Sequence, residues 1–304
     1  MYDLIIIGAG PAGFGASIYA SRYKIKHLVI GKEFGGQIVK TSRIENWPGF
    51  ESISGPELIG KFSDQAKKLG AEIIQDEVKK IFKQDNLFSV ETAGGVEYQT
   101  KNIILALGMK PRKLNVPGED EFVGKGVSYC AICDAMFFRG KDVAVVGGGD
   151  SAAKAAIHLG EFASKVNIFY PEGKLIMEPA LQEKIKENEK IDLCECQGVA
   201  RIEGNSKVTG IVCKFKDENK KIPVSGVFVE IGSVPGVEIA KQIGAEMDSE
   251  GYIIVKSDQN TNISGIYAAG DATTGSNKLR QLITSVSEGA IAASSVYQKN
   301  KLGN

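Results

Sequence analysis

Apolar positions in this chain fall in short unbroken runs, and two of these runs lead straight into glycine clusters. Leu4-Ile5-Ile6-Ile7 is followed by Gly8-Ala9-Gly10-Pro11-Ala12-Gly13, and about 140 residues later Val143-Ala144-Val145-Val146 is followed by Gly147-Gly148-Gly149-Asp150-Ser151-Ala152-Ala153. An apolar run of this length that ends in glycine predicts a strand buried on both faces, as in parallel sheets. A helix is expected next, from about Ala12 to Tyr23, and then a second strand over His27 to Ile30. Gly265-Ile266-Tyr267-Ala268-Ala269-Gly270-Asp271-Ala272 predicts a further buried strand, and Arg280-Gln281 opens an Ala/Ser-rich helix over Leu282 to Gln298. Leu181 and Ile185, four apart, mark an amphipathic helix within Ala180 to Asn188, and Lys214 to Lys221 reads as a hairpin with an exposed polar turn.

The spacing of the first glycine cluster carries chemistry. Gly8 permits a tight turn, Gly10 lets the backbone approach a pyrophosphate, and Gly13 allows the helix to pack closely on the strand, with phosphates held at the helix N-terminus. The second strand of such a unit should end in an acid that binds ribose hydroxyls, but here Gly31-Lys32 intervene before Glu33. Glu33 is the candidate, presented from the loop. A glycine-rich turn without a ligand is the alternative reading of the motif. Two strand-turn-helix units in one chain imply two dinucleotide sites, usually FAD in one and a nicotinamide cofactor in the other. Gly147, Gly149, Asp150, Ser151 and Ala152 are the candidates at the second site. Asp271, at the end of a strand, suits a ribityl hydroxyl, with a turn or cap residue as the plainer reading, and the dipole of the last helix can face a reduced, anionic flavin.

Composition narrows the field. At 304 residues the chain is long enough for two domains, and 36 glycines suit an α/β fold with many tight turns. Lys+Arg and Asp+Glu both total 37, so no net field favours nucleic acid or an anionic membrane. The apolar start, broken at Gly8, Gly10 and Pro11, does not read as a signal peptide, and no run approaches about 18 apolar residues, the span of a membrane helix. Five cysteines are too few for a disulfide framework, which points to a reducing, cytoplasmic setting where a CxxC pair is catalytic or metal-binding.

Between the two fingerprints stands Cys130-Ala131-Ile132-Cys133-Asp134. Cysteines at i and i+3 meet on one face of a helical turn, close enough for a reducible disulfide, and a helix N-terminus lowers a thiol pKa. A vicinal dithiol exchanges two electrons, as a flavin does. Zinc normally asks for four ligands, and Cys194, Cys196 and Cys213 form no second CxxC. Cys194 and Cys196 point the same way along a strand, as a second redox pair or simply as packed side chains. His27 and His158 are the only histidines, one before a strand and one in a helix, so a histidine general acid is not expected.

With these motifs in place, the chain resembles the low-molecular-weight thioredoxin reductases, FAD-dependent pyridine nucleotide-disulfide oxidoreductases of class II, over essentially its whole length. The resemblance rests on both fingerprints, Cys130 to Asp134, Gly35-Gly36-Gln37, Glu45-Asn46-Trp47-Pro48-Gly49, Ala269-Gly270-Asp271 and Arg280-Gln281. It implies two Rossmann-like domains, the second inserted into the first: an FAD domain over 1–113 and 237–304, and a nicotinamide-type domain carrying the dithiol over 114–236. It further implies FAD contacts at Pro11, Ala12, Glu33, Gly35, Gly36, Gln37, Asn46, Val78, Ala106, Gly108, Gly270, Asp271, Arg280, Gln281 and Leu282, with Trp47 packed nearby. In the family's chemistry Cys133 would face the flavin, Cys130 would attack the disulfide of thioredoxin or a thioredoxin-like protein, and Asp134 would protonate the leaving thiolate. A homodimer is implied, as is rotation of the inserted domain so that the dithiol meets the flavin and the substrate in turn.

One departure from the pattern matters. Where NADPH-using relatives carry His-Arg-Arg and a later Arg, this chain has Tyr170-Pro171-Glu172 and Ile176. A carboxylate repels a 2′-phosphate and can accept from the 2′-hydroxyl of NADH. NADPH is therefore disfavoured, by about 1.5–3 kcal/mol per lost charged hydrogen bond, and NADH or a non-nicotinamide donor, ferredoxin or a deazaflavin, stands ahead of it. Rival functions are a reductase for a peroxiredoxin- or glutaredoxin-like partner, a ferredoxin–nicotinamide reductase, which would not need the CxxC, and a non-catalytic FAD-bound redox sensor.

Overall fold

In the computed structural model, which describes residues 1–41, 44–216 and 218–302, the first apolar run lies in strand β1 (Tyr2–Ala9) and its glycine cluster leads into helix α1 (Pro11–Arg22). The chain continues through β2 (His27–Phe34), α2 (Gly55–Lys68), β3 (Glu72–Gln75), β4 (Val78–Gln84), β5 (Leu87–Thr92), β6 (Glu97–Leu105) and β7 (Met109–Pro111). Ser54 caps α2 by accepting the Glu57 N–H at 3.3 Å, which satisfies one of the amides a helix start leaves open.

The inserted segment follows: β8 (Val127–Ser128), α3 (Ala131–Asp134), β9 (Asp142–Val146), α4 (Asp150–Gly160), β10 (Lys165–Pro171), α5 (Pro179–Lys186), β11 (Ile191–Cys196), β12 (Gly198–Gly204), β13 (Val208–Lys214), β14 (Asn219–Ile222), β15 (Gly226–Val229) and β16 (Ser233–Pro235). The hairpin expected over Lys214 to Lys221 joins β13 and β14; its Asp217 lies outside the described residues. The chain then returns through α6 (Glu238–Gln242) and β17 (Ile266–Ala268) to α7 (Leu282–Leu302).

Two compact units result: Met1–Lys110 with Val234–Asn304, and Pro111–Ser233. The divisions, at 110/111 and 233/234 against 113/114 and 236/237 expected, fall inside β7 and β16. These two strands pair with each other, so the two crossings run side by side.

In the first unit β3-β2-β1-β6 run parallel, β17 joins the far half of β6 in parallel, and β5 and β4 pair antiparallel from its near half. Side chains alternate between the faces of this sheet. Leu4, Ile6, Val29 and Ile104 pack under α1, α2 and α7, while Ile5, Ile7, Leu28, Ile103 and Leu105 meet β4, β5 and α6. Burial on both faces explains the unbroken apolar runs, each such side chain contributing about 1.5–3 kcal/mol. The second unit repeats the plan with a five-stranded parallel sheet, β11-β10-β9-β15-β8, and a separate antiparallel sheet, β12-β13-β14. Val143, Val145, Val166 and Ile168 pack beneath α3, α4 and α5, and Ala144, Val146, Phe169 and Val227 face the antiparallel sheet. Among the described residues no helix is long and apolar enough to cross a membrane.

His27 is buried at the start of β2, with Nδ1 3.0 Å from the Ile25 carbonyl and Nε2 2.8 Å from Ser17 Oγ. The ring donates to the carbonyl and accepts from the serine, which suits the neutral form, and burial lowers its pKa below 6.5. The unfolded chain takes up this proton near pH 6.5 and the folded chain resists it. Stability is therefore expected to hold above pH 6.5 and to fall below it, with a slope of up to about 1.4 kcal/mol per pH unit. Urea midpoints from pH 8 to 5 test this. His27→Gln should flatten the slope below pH 6.5, and equal slopes in both proteins would rule the histidine out.

Candidate active site

The Gly8–Gly13 turn is held too tightly for side chains. Gly8 has φ +119°, and a Cβ there would run into the Ala106 carbonyl, while a Cβ on Gly13 would run into the carbonyl of Gly8 itself. Gly10, by contrast, would have nothing closer than the Gly35 carbonyl at 3.8 Å, and as N-cap of α1 it makes no side-chain cap bond. This leaves an open backbone cradle with helix amides directed into it, which fits a pyrophosphate. Gly35 and Gly36, both left-handed, lie alongside, with the Gly35 N–H donating to the Ala9 carbonyl at 2.8 Å.

Glu33 is not in a loop after β2, as the sequence suggested. β2 runs on to Phe34, and its register with β1 jumps from Ile7↔Ile30 to Ala9↔Phe34. The bulge arises where Gly31 meets Ala9 too closely for any side chain, and it carries an exposed Glu33 past the glycine turn.

The return segment closes this cradle. A Cβ on Gly270 would come within 2.9 Å of the Ala12 Cβ. Asp271 accepts from Ser285 Oγ at 2.7 Å, and burial pushes its pKa above the usual carboxylate range against the opposing effects of Ser285 and Arg280. A desolvated carboxylate with spare acceptor capacity fits a sugar hydroxyl. Arg280 stacks on the Tyr252 ring, 5.0 Å from guanidinium carbon to centroid, and Gln281 accepts from Asn46 Nδ2 at 2.9 Å. Lys278, paired with Asp248 and Glu250 at 2.7 Å each, fixes the left-handed run Ser276 to Lys278 just before them. Gln37 donates to the Met109 carbonyl at 3.0 Å. Gly108 is left-handed with open space around it, Val78 is buried at the head of β4, and Leu282 opens α7 against the core.

In the second unit Cys130 and Cys133 form a disulfide with Cα atoms 5.4 Å apart. Cys130 is the N-cap of the one-turn helix α3, and its sulfur accepts the Cys133 N–H at 3.3 Å. Cys130 is half-buried and Cys133 exposed, while the half-buried Asp134 closes the turn through its N–H to the Cys130 carbonyl at 3.2 Å. α3 packs on α4, the helix that opens at Gly149, so dithiol and second fingerprint share one core. There the loop after β10 folds back over the glycines. Ile176 donates to the Gly148 carbonyl and Glu178 to the Asp150 carboxylate, both at 2.8 Å, so Asp150 anchors that loop. Glu172 and Ile176 are exposed, Tyr170 is buried, and Ser151 and Ala152 lie in the first turn of α4.

The family model for pyridine nucleotide-disulphide oxidoreductases matches residues 2–289. The chain belongs to that family. It is 43% identical over 300 residues to a thioredoxin reductase of Bacillus subtilis, covering 97% of this chain and 94% of the relative. The solved thioredoxin reductase of Lactococcus lactis is 37% identical over 98% of both chains with a TM-score of 0.86. A ferredoxin-flavin thioredoxin reductase of Clostridium acetobutylicum is 32% identical, covering 99% of this chain and 98% of its own, with a TM-score of 0.54. This pyridine nucleotide-disulphide oxidoreductase is an enzyme of the low-molecular-weight thioredoxin reductase type, a membership that implies FAD.

Two buried carboxylates of this oxidoreductase escape the motifs. Glu288 accepts the Gly270 N–H at 2.7 Å and Thr273 Oγ1 at 3.2 Å, bracing the turn that presents Asp271. Its sequence signal was an acid in register with the buried Ala292 and Val296 of α7. Glu119, 1% exposed, accepts the Leu114 and Asn115 N–H groups at 2.8 and 2.7 Å and the Tyr129 hydroxyl at 2.8 Å. It ties the start of the inserted unit to the residue before Cys130, and nothing local in the sequence marks it.

Proposed function

We propose that this enzyme passes two electrons from a donor by way of FAD to the Cys130–Cys133 disulfide and on to the disulfide of a thioredoxin-type protein. The observation that carries this reading is the apolar surface beside the sulfur pair: Ile132, Met136 and Phe137 are 48, 64 and 65% exposed. Exposed apolar side chains around a reactive dithiol suit a protein partner more than a small polar disulfide. FAD, when bound, supplies the two-electron relay.

In the reduced pair Cys130 attacks one sulfur of the substrate and forms a mixed disulfide, and the other substrate sulfur leaves with a proton from Asp134. Cys133 then attacks Cys130, restoring the internal disulfide and releasing the second substrate thiol. The Cys133 N–H directed at the Cys130 sulfur favours the thiolate form of Cys130. We also infer a homodimer, supported by exposed Tyr19, Ile283 and Ile291 on the packed α1–α7 pair.

The donor is read from Glu172 and Ile176. They stand where NADPH-using relatives carry cations, and the similar clostridial protein is a ferredoxin-flavin enzyme. NADH or a non-nicotinamide donor such as ferredoxin is proposed over NADPH. Anaerobic mixing with NADH, NADPH and reduced ferredoxin, followed by flavin absorbance, tests the choice. NADPH is expected to bleach the flavin at least about tenfold more slowly than the best donor, as follows from losing one charged hydrogen bond. NADPH as the fastest donor would overturn the reading.

A further inference from the structure

Three thiols that the reaction leaves unused gather in the inserted unit. Cys194 and Cys196 lie on β11, the edge strand of the parallel sheet, and Cys213 lies on β13, the middle strand of the antiparallel sheet. Although they belong to different sheets, Cys196 and Cys213 lie in one buried core, and their chain neighbours are tied together by the Gln197 N–H donating to the Lys214 carbonyl at 2.7 Å. Cys196 is 5% and Cys213 0% exposed, both within the core between the sheets, and Cys194 is half-buried beside them.

The sulfur environments are unequal. The neighbouring Cys213 thiol and the Gly198 backbone pull the Cys196 pKa down to about 7 against burial. The Cys213 thiol is pushed up by the neighbouring Cys196 and by burial. One sulfur of the pair is thus a nucleophile and the other its proton donor. Cys194 is a poor partner for Cys196, since residues i and i+2 of a strand sit roughly 6.6 Å apart with parallel side chains, at the outer limit for a disulfide.

We propose that Cys196 and Cys213 are a second redox-convertible pair, which a hydroperoxide closes into a disulfide joining the two sheets of the inserted unit. Cys196 Sγ attacks one peroxide oxygen and the O–O bond breaks. Cys196 becomes a sulfenic acid, and the other oxygen leaves as water or alcohol with the proton from Cys213. Cys213 Sγ then displaces the sulfenic oxygen, which leaves as water with the proton that Cys196 had given up to solvent on ionising. Two thiols are oxidised, one peroxide is reduced, and an S–S bond now joins the two sheets. Local opening of edge strand β11 admits a reagent of this size. The bridge closes the chain between 196 and 213 and restricts the unfolded state, so the oxidised unit melts at higher temperature.

The test uses the full chain with FAD bound and its Cys130–Cys133 pair already oxidised. It is exposed to hydrogen peroxide, unfolded in the presence of an alkylating agent, digested without reductant and read by mass spectrometry. A Cys196–Cys213 cross-linked peptide that disappears with dithiothreitol is expected, with Cys194 not joined to either. Cys194→Ser should keep the cross-link, and Cys213→Ala should lose it and accumulate sulfinic acid at Cys196. The thermal midpoint should rise on oxidation in the unaltered protein and in Cys194→Ser, and stay where it is in Cys213→Ala. Alkylation of both Cys196 and Cys213 at peroxide doses that oxidise Cys194, or a cross-link through Cys194 instead, would overturn the proposal.

Discussion

Gly13→Ala is expected to cost the enzyme its FAD and to destabilise the first unit by about 3 kcal/mol, the upper end for overpacking. The added Cβ would land on the Gly8 carbonyl, and Gly8 cannot retreat because it already abuts the Ala106 backbone. Nor can α1 shift away. On its other side Gly289 of α7 is pressed against the Ala12 carbonyl, and Gly15 against the Val286 backbone. Every obstruction is main chain, so no rotamer change relieves it. Widening the turn would also move the amides of α1 from the cradle beside Gly10. Gly60→Ala is the matched control, since nothing lies within 4 Å of its Cβ position on α2. It should stabilise by up to about 1 kcal/mol. Flavin absorbance after purification and urea midpoints of the two variants measure the difference. A yellow Gly13→Ala protein with an unchanged midpoint would remove the basis for this cradle.

The same rigidity explains what was legible in the sequence. A glycine at a position where a Cβ meets backbone leaves a mark that spacing alone reveals, as at Gly8 and Gly13. The unbroken runs Leu4–Ile7 and Val143–Val146 likewise record burial on both faces of a sheet. Features made by contacts distant in sequence left no such mark. Glu119 reads as one more acid in Gly118-Glu119-Asp120-Glu121, although it is the one enclosed by two amides and a tyrosine hydroxyl. Asp150 reads as part of a nucleotide motif, yet its carboxylate is engaged by an amide 28 residues later. The extension of β2 to Phe34 depends on a bulge opposite Ala9, which propensity does not encode. The Cys196–Cys213 contact joins two sheets, whereas the sequence directed attention to Cys194 and Cys196 along one strand.

Cys133→Ser is expected to lower protein-disulfide reduction by on the order of 10³-fold or more, the scale for removing an essential nucleophile. The fold and the flavin should remain. Cys133 is exposed on a one-turn helix whose buried anchor is Ala131, and its N–H bond to Cys130 comes from the main chain, so serine fits without rearrangement. The cradle proposed for FAD lies in the first unit, whose core does not include this turn. A destabilised protein would lose flavin and activity together. Loss of the sulfur alone should remove activity from a protein that stays yellow with the same thermal midpoint.

Anaerobic reductive titration of the unaltered enzyme and of Cys133→Ser, following flavin absorbance against reductant added, tests the sulfur pair most directly. The unaltered chain should consume reductant for a disulfide as well as for its flavin before bleaching is complete, and the variant only the flavin's share. Equal consumption by the two proteins would mean that the Cys130–Cys133 bond takes no part in electron transfer, and would contradict the account.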